Sequence, residues 1–422
     1  MNVSLAYGRG YLTVDLPDDR TTLIEPAHQS GLRDEQAALI EALDHPVESP
    51  SLASLLQPDS RICIVFTDIT RATPNERLIP WLLAYLEKAG AKRDSIILLN
   101  GLGTHRPNTR AELEQMLTPE VVANYNVVNH EPENVDACVQ LGETNIGTPA
   151  WINRHLVDAD IRIITGFIEP HFFAGFSGGP KGIMPGVAHT ETVMSNHGSR
   201  NIGDPRSAFG ITEGNPIWEE MRDIALRVGS SFLLNVALNE KKEITGIFAG
   251  DLIGAHKVGI EFVRASAMQK QEAPFDIVIT TASGYPLDQN LYQGVKGMSA
   301  AARIVKPGGV IILAAECSDG LPHGSHFEKL LHQAKNPEEL IALISTPGFR
   351  ATDQWSAQIQ AIIQRNARVL LHSSLSDEMV LGAHLKPCPD IAAAVSEILA
   401  GLPSSARVAV LPQGPLTIPY LG

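Results

Sequence analysis

No two cysteines of this chain stand close enough to form a Cys-x-x-Cys pair: Cys63, Cys138, Cys317 and Cys388 are widely scattered. That pattern offers no disulfide framework and predicts reduced, mostly buried thiols in a cytoplasmic setting. Net positive charge is lacking too. A formal charge of -14 gives no general field to attract nucleic acid or an anionic membrane, so neither is expected as a partner. An anionic substrate must instead meet a local cluster of Arg, Lys and His. No apolar run approaches the length of a bilayer span, and the start, Met1-Asn2-Val3-Ser4, lacks a basic region followed by an apolar stretch. Neither a membrane segment nor a signal peptide is expected. Also absent are internal repeats, low-complexity tracts, His-Glu-x-x-His and the paired Cys/His spacing of a zinc site.

What is present is an ordinary globular composition, 44% hydrophobic and 19% charged over 422 residues. That length predicts two domains, because single cores stop growing before about 300 residues. Arg61–Thr67 and Ser95–Asn100 are short apolar runs suited to buried parallel strands, with helical spacing from Asn75 to Gly90 between them. A further strand is expected at Ile161–Gly166. After a helix ending near Lys270, strands are expected at Phe275–Thr280, Gly309–Ala314, Ala367–Leu371 and Ala406–Leu411, with a helix over Asp390–Leu399. The expected architecture is α/β, with mainly parallel sheets flanked by helices in both domains (1–272 and 273–422) and the active site in the cleft between them.

Polar segments follow three of these strands, where open α/β sheets bind ligands. The densest is Glu169-Pro170-His171-Phe172-Phe173-Ala174-Gly175-Phe176-Ser177-Gly178-Gly179-Pro180-Lys181-Gly182, with His197 soon after. Its glycines would let backbone approach a bulky anion. Lys181 is a point charge and a potential covalent attachment site. The plainer alternative is a helix-capping turn with one satisfied histidine. A phosphate loop is disfavoured, because Gly182 stands where that motif needs Ser or Thr.

His105 sits in Gly103-Thr104-His105-Arg106-Pro107, and could equally be a loop histidine bonded to backbone. Asp68-Ile69-Thr70-Arg71 offers a carboxylate for ribose hydroxyls and a guanidinium for a carboxylate or phosphate, or else a helix cap beside a solvent-facing arginine. His197 could be a metal ligand or a turn residue. Tyr292-Gln293-Gly294-Val295-Lys296 falls where a helix should follow the Phe275–Thr280 strand. Gln293 and Lys296 would then share a face, functional or merely solvated. His323 and His326 lie in a Gly/Pro-rich turn and are expected at the surface.

Taken together, these segments resemble the nickel-dependent lactate racemase family over nearly the whole chain. The resemblance rests on the Glu169–Gly182 run, on Asp-x-Thr-Arg-x-Thr-Pro at Asp68–Pro74 and on Gly-Thr-His-Arg-Pro at Gly103–Pro107. It implies a nickel pincer nucleotide, a pyridinium mononucleotide whose two sulfur substituents and one ring carbon hold Ni(II). It further implies that Lys181 can tether that cofactor and that His197 is the one protein ligand to nickel. Asp68, Ile69, Thr70 and Arg71 match the nucleotide-binding loop, and His105 with His171 the catalytic pair. Arg71, Tyr292, Gln293 and Lys296 match substrate contacts. The expected activity is racemisation or epimerisation of a 2-hydroxy acid, lactate first, with malate, another short hydroxy acid or a sugar acid as alternatives. Cofactor-biosynthesis enzymes of the host are then expected partners. The rivals are a phosphate-handling transferase and a non-enzymatic nickel or nucleotide carrier.

Overall fold

The strand Ile62–Thr67 is buried along nearly its whole length, and burial on both faces places it at the centre of a parallel sheet. The computed structural model describes residues 1–422. In it, this strand pairs in parallel with Ile96–Gly101 on one side and Ile161–Phe167 on the other. Asn126–Asn129 extends the sheet beyond Ile96–Gly101, and Phe232–Leu238 then Ile244–Asp251 extend it beyond Ile161–Phe167. Only the last strand runs antiparallel, paired with Phe232–Leu238. The helix Asn75–Lys88 buries Leu78, Ile79, Leu82, Leu83 and Leu86, a spacing that lays one apolar stripe onto the sheet. The carboxyl ends of Ile62–Thr67, Ile96–Gly101 and Ile161–Phe167 are therefore adjacent, and each delivers one of the polar segments.

A second six-stranded sheet is parallel throughout. Its order is Lys386–Pro387, Arg368–His372, Val305–Ala314, Phe275–Thr281, Val408–Leu411 and Thr21–Leu23. All four strands expected in the second half belong to this sheet, and the expected helix appears as Ile391–Ala400.

The division of the chain differs from a single cut at residue 272. One compact unit comprises residues 28–197 and 211–265, and the other comprises 1–27, 198–210 and 266–422. The reason is strand pairing at long sequence separation. Thr21–Leu23 adds an edge strand to the sheet of the C-terminal half. The hairpin of Asn2–Tyr7 and Gly10–Asp15 buries Val3, Leu5 and Val14 in that same core. The helix near Lys270 ends at Ala267, and the polar stretch Met268–Gln271 is a strand, parallel to Ile418–Leu421. Backbone pairing overrides its composition.

Two buried histidines outside the expected site set an acid limit on the larger N-terminal unit. His130 is fully buried, with one ring nitrogen bonded to the Ala188 carbonyl at 3.0 Å and the other to Asn153 Nδ2 at 3.0 Å. His256 Nε2 donates to the Ser177 carbonyl at 2.9 Å. Burial pushes each ring down to about 4. The folded state therefore holds both neutral where the unfolded chain protonates them near 6.5. The stability this gives is present above that value and lost as pH falls towards 4, by about 1.4 kcal/mol per pH unit per ring. Urea unfolding of the apoprotein should show a marked loss between pH 7 and pH 5. A pH-independent midpoint would contradict this.

Candidate active site

Asp68 follows directly on the Ile62–Thr67 strand and is only 2% exposed. Its Oδ1 accepts from the Thr70 hydroxyl at 2.8 Å, and its Oδ2 lies 2.6 Å from His105 Nδ1. Arg71 Nε is 3.8 Å from the same carboxylate. Burial alone would push this carboxyl up. The hydrogen bond and charge of His105, with Arg71 and Thr70, outweigh it and hold the group below its usual value. An ionised Asp68 makes His105 Nδ1 the donor, so the basic lone pair lies on Nε2. The His105 side chain is 42% exposed, so Nε2 can meet a substrate. The sequence suggested ribose hydroxyls as partners for Asp68. In the structure its oxygens meet His105 and Thr70, so that a buried carboxylate orients the His105 imidazole. Within this segment, Ile69 donates its backbone N–H to Asn108 Oδ1 at 3.4 Å.

His171 stands in a two-residue strand, Pro170–His171, folded back on Gly175–Phe176. Its Nδ1 accepts the Ala174 N–H at 3.2 Å, which puts the ring proton on Nε2. The two expected catalytic histidines are therefore held in opposite tautomers. Phe173 lies edge-on to His171 at 4.5 Å and edge-on to His197 at 5.0 Å, so its ring touches both imidazoles. Phe173 was not legible as a site residue, since aromatic neighbours of a glycine turn read equally as core.

The glycines of this turn are required by close packing within the protein itself. A Cβ at Gly178 would collide with Asn235 Oδ1, at Gly179 with the His256 ring and at Gly182 with Ile164 Cγ2. Close packing against protein, at φ +76° for Gly178 and +54° for Gly179, accounts for them. Gly178→Ala should cost about 2–4 kcal/mol, from overpacking and a left-handed backbone together. A thermal midpoint equal to that of the unsubstituted protein would refute this packing account. The Ser177 hydroxyl is likewise committed internally, donating to the Phe167 carbonyl at 3.0 Å while accepting the Glu169 N–H at 2.9 Å.

Lys181 lies half-buried in the short 3-10 turn Gly179–Gly182, close enough to His197 for its charge to act on that ring. His197 ends the helix Thr190–Asn196 and is 4% exposed. Burial first, and Lys181 second, push it down to about 3, so it is a neutral imidazole. Its Nδ1 bonds Asn196 Oδ1 at 2.8 Å, and the lone pair therefore sits on Nε2. Nowhere do three or more His, Cys, Asp or Glu side chains gather to hold a bare metal ion. A single neutral, oriented imidazole suits a metal that arrives with its other ligands already attached, as in a pincer.

Tyr292, Gln293 and Lys296 lie in the other unit, on the helix Leu291–Ala302 that follows Phe275–Thr281 as expected. Asn290 caps this helix by accepting the Gln293 N–H at 3.2 Å. Gln293 Oε1 is buried without a hydrogen-bond partner, an orphaned acceptor of the kind a ligand satisfies. Tyr292 is more committed. Its hydroxyl accepts from Trp355 Nε1 at 3.2 Å, its ring meets Phe327 edge-on at 5.5 Å, and burial pushes it up to about 12. Internal packing is thus its first role. His323 and His326 are both exposed, as expected.

Residues 7–210 match the lactate racemase N-terminal domain, and residues 270–418 match the lactate racemase C-terminal domain. The chain is 36% identical over 420 residues to the lactate racemase of Thermoanaerobacterium thermosaccharolyticum, covering 98% of both chains. It is 35% identical over 419 residues to that of Lactiplantibacillus plantarum, again 98% of both. The lactate racemase apoprotein structure from T. thermosaccharolyticum superposes with a TM-score of 0.93, covering 99% of this chain and 100% of that one. A Thermotoga maritima protein, 19% identical with a TM-score of 0.68 over 94% of this chain and 100% of its own, shares the fold. Two family domains in order and full-length identity above a third settle the assignment: this chain is an isomerase of the lactate racemase family.

Proposed function

We propose that the protein racemises a short 2-hydroxy acid, lactate being the first candidate, by moving the C2 hydrogen as hydride. The observation that carries this reading is the 2.6 Å contact between His105 and buried Asp68, which builds a general base at the carboxyl edge of the sheet. A C2 hydrogen beside a carboxylate is a poor proton donor, whereas the hydroxyl proton of the same carbon suits an imidazole base. A nickel pincer nucleotide supplies the hydride acceptor and donor that no side chain provides. His197 would hold its nickel through Nε2, and Lys181 would tether it.

The protein's own groups handle everything else. His105 Nε2 takes the hydroxyl proton from one enantiomer, and Asp68 stabilises the imidazolium that forms. His171 serves the opposite enantiomer. As the ring stands its Nε2 donates, so acting as base there requires the imidazole to give up its bond with Ala174. Arg71 is assigned to the substrate carboxylate, with Gln293, Lys296 and Tyr292 as further substrate contacts. Thr70 and Ile69 belong to the loop that receives the nucleotide. The cofactor arrives from the host enzymes that build it.

The test is a racemisation assay on protein produced together with those biosynthetic enzymes, using lactate, malate and a sugar acid in parallel. Optical inversion of lactate is expected. Inversion of none of them, with cofactor bound, would leave a carrier. Intact-mass spectrometry of the same holoprotein should show an adduct on the Lys181 peptide. An adduct on another peptide would refute the assigned tether.

A further inference from the structure

The helix Pro216–Arg227 lies behind the His197 region and touches it at two points. Asn215, its cap, donates through Nδ2 to the Phe173 carbonyl at 2.9 Å. One turn on, Glu220 is a 5% exposed carboxylate that the reading above does not use. Its Oε2 accepts from Asn196 Nδ2 at 2.7 Å, and its Oε1 accepts from the Thr144 hydroxyl at 2.7 Å. The Thr144 oxygen itself accepts the Thr148 N–H at 3.1 Å, so its own proton is directed to Glu220. Asn196 Nδ2 also faces the Ile217 carbonyl at 3.2 Å. With two acceptors on that side, the amide nitrogen of Asn196 is fixed there. Its oxygen must face His197 Nδ1, 2.8 Å away.

We infer that Glu220 is a positioning residue that, through Asn196 and braced by Thr144, dictates which His197 nitrogen is presented to the nickel. The inference rests on the reading of His197 as the nickel ligand. The direction of every bond follows from that carboxylate, with the Ile217 carbonyl as a second acceptor on the same side. Glu220 can only accept, so Asn196 must donate to it and accept from His197, and the imidazole proton must sit on Nδ1. A single protein ligand has no neighbours to correct a wrong tautomer, which gives this chain of bonds more weight than in a site with several ligands.

Glu220→Gln keeps the shape and reverses the logic. With the Thr144 hydroxyl still on its oxygen, the new amide nitrogen faces Asn196 Nδ2. Asn196 relieves that clash by turning over, giving up its bond to the Ile217 carbonyl, and its Nδ2 then donates to His197 Nδ1 and drives the proton to Nε2. Two readouts test this. The first is the ¹⁵N shifts of the His197 ring in apoprotein, which report the tautomer without any cofactor. The second is the rate of nickel release from holoprotein to a chelator. Glu220→Gln should move the proton from Nδ1 to Nε2 and speed release about 10–100-fold, the usual effect of losing an outer-shell partner. Thr144→Val removes only the outer brace and should move both readouts the same way by less. It also decides the matter should Glu220→Gln not fold.

Release and tautomer both unchanged in the folded variants would overturn the inference. So would faster release with the proton still on Nδ1, or a moved proton with release unchanged. His197→Ala separates this from the underlying reading: nickel retained by that variant removes His197 as ligand, whatever Glu220 does.

Discussion

Replacing His105 with alanine is expected to slow racemisation about 10²–10⁴-fold in both directions, the usual cost of losing a positioned general base. Both directions must suffer, because the equilibrium constant between enantiomers is one and each full turnover uses one histidine as base and the other as acid. Asp68→Asn should reproduce much of this loss with His105 intact, since the amide no longer demands a proton on His105 Nδ1. The two halves separate under single-turnover conditions. His105→Ala should form the keto acid faster from one enantiomer and His171→Ala faster from the other. The opposite tautomers add an asymmetry to the unsubstituted protein. His105 is held ready as base, whereas His171 must first give up its bond with Ala174. The enantiomer served by His105 should therefore react faster in the first turnover. Stopped-flow absorbance with each enantiomer decides this. Equal slowing of both enantiomers by both variants would reassign one histidine to a structural role.

His197→Ala is expected to abolish activity by a different route, through loss of the nickel with the fold retained. A 4% exposed imidazole contributes some packing, but Phe173 and the Asn196 helix end remain to hold the region. Elemental analysis of the purified variant should find no nickel while circular dichroism and unfolding stay close to those of the unsubstituted protein. Full nickel retention would remove His197 from the site.

The strands that carry the site were legible because they are buried on both faces, so Ile62–Thr67 and Ile161–Phe167 stand out as unbroken apolar runs. Their polar successors could then be placed at a sheet edge by topology alone. The N-terminal hairpin and the Thr21–Leu23 strand could not be assigned to the C-terminal sheet, because pairing across several hundred residues leaves no local mark. Met268–Gln271 reads as a polar linker, since an edge pairing held by backbone bonds makes little demand on its side chains. Within the site, residue types were visible but bond directions were not. Asp68 stood out as a candidate carboxylate, yet its partner depends on where a second loop brings His105. Glu220 and Thr144 gave no signal at all, standing in ordinary helical and turn contexts. Asn196 had only its place beside His197. The glycines stood out in the sequence, but not what presses on them, which is Asn235, His256 and Ile164.

In the proposed reaction the two histidines move only the hydroxyl proton, while the C2 hydrogen leaves and returns as hydride. Lactate deuterated at C2 distinguishes this from proton abstraction, with holoprotein in ordinary water and mass spectrometry of the inverted product. The opposite enantiomer should keep its deuterium at C2, because that hydrogen never passes through an exchangeable imidazole N–H. Inverted lactate carrying solvent hydrogen at C2 would mean that a histidine takes that hydrogen as a proton, and would overturn the hydride mechanism.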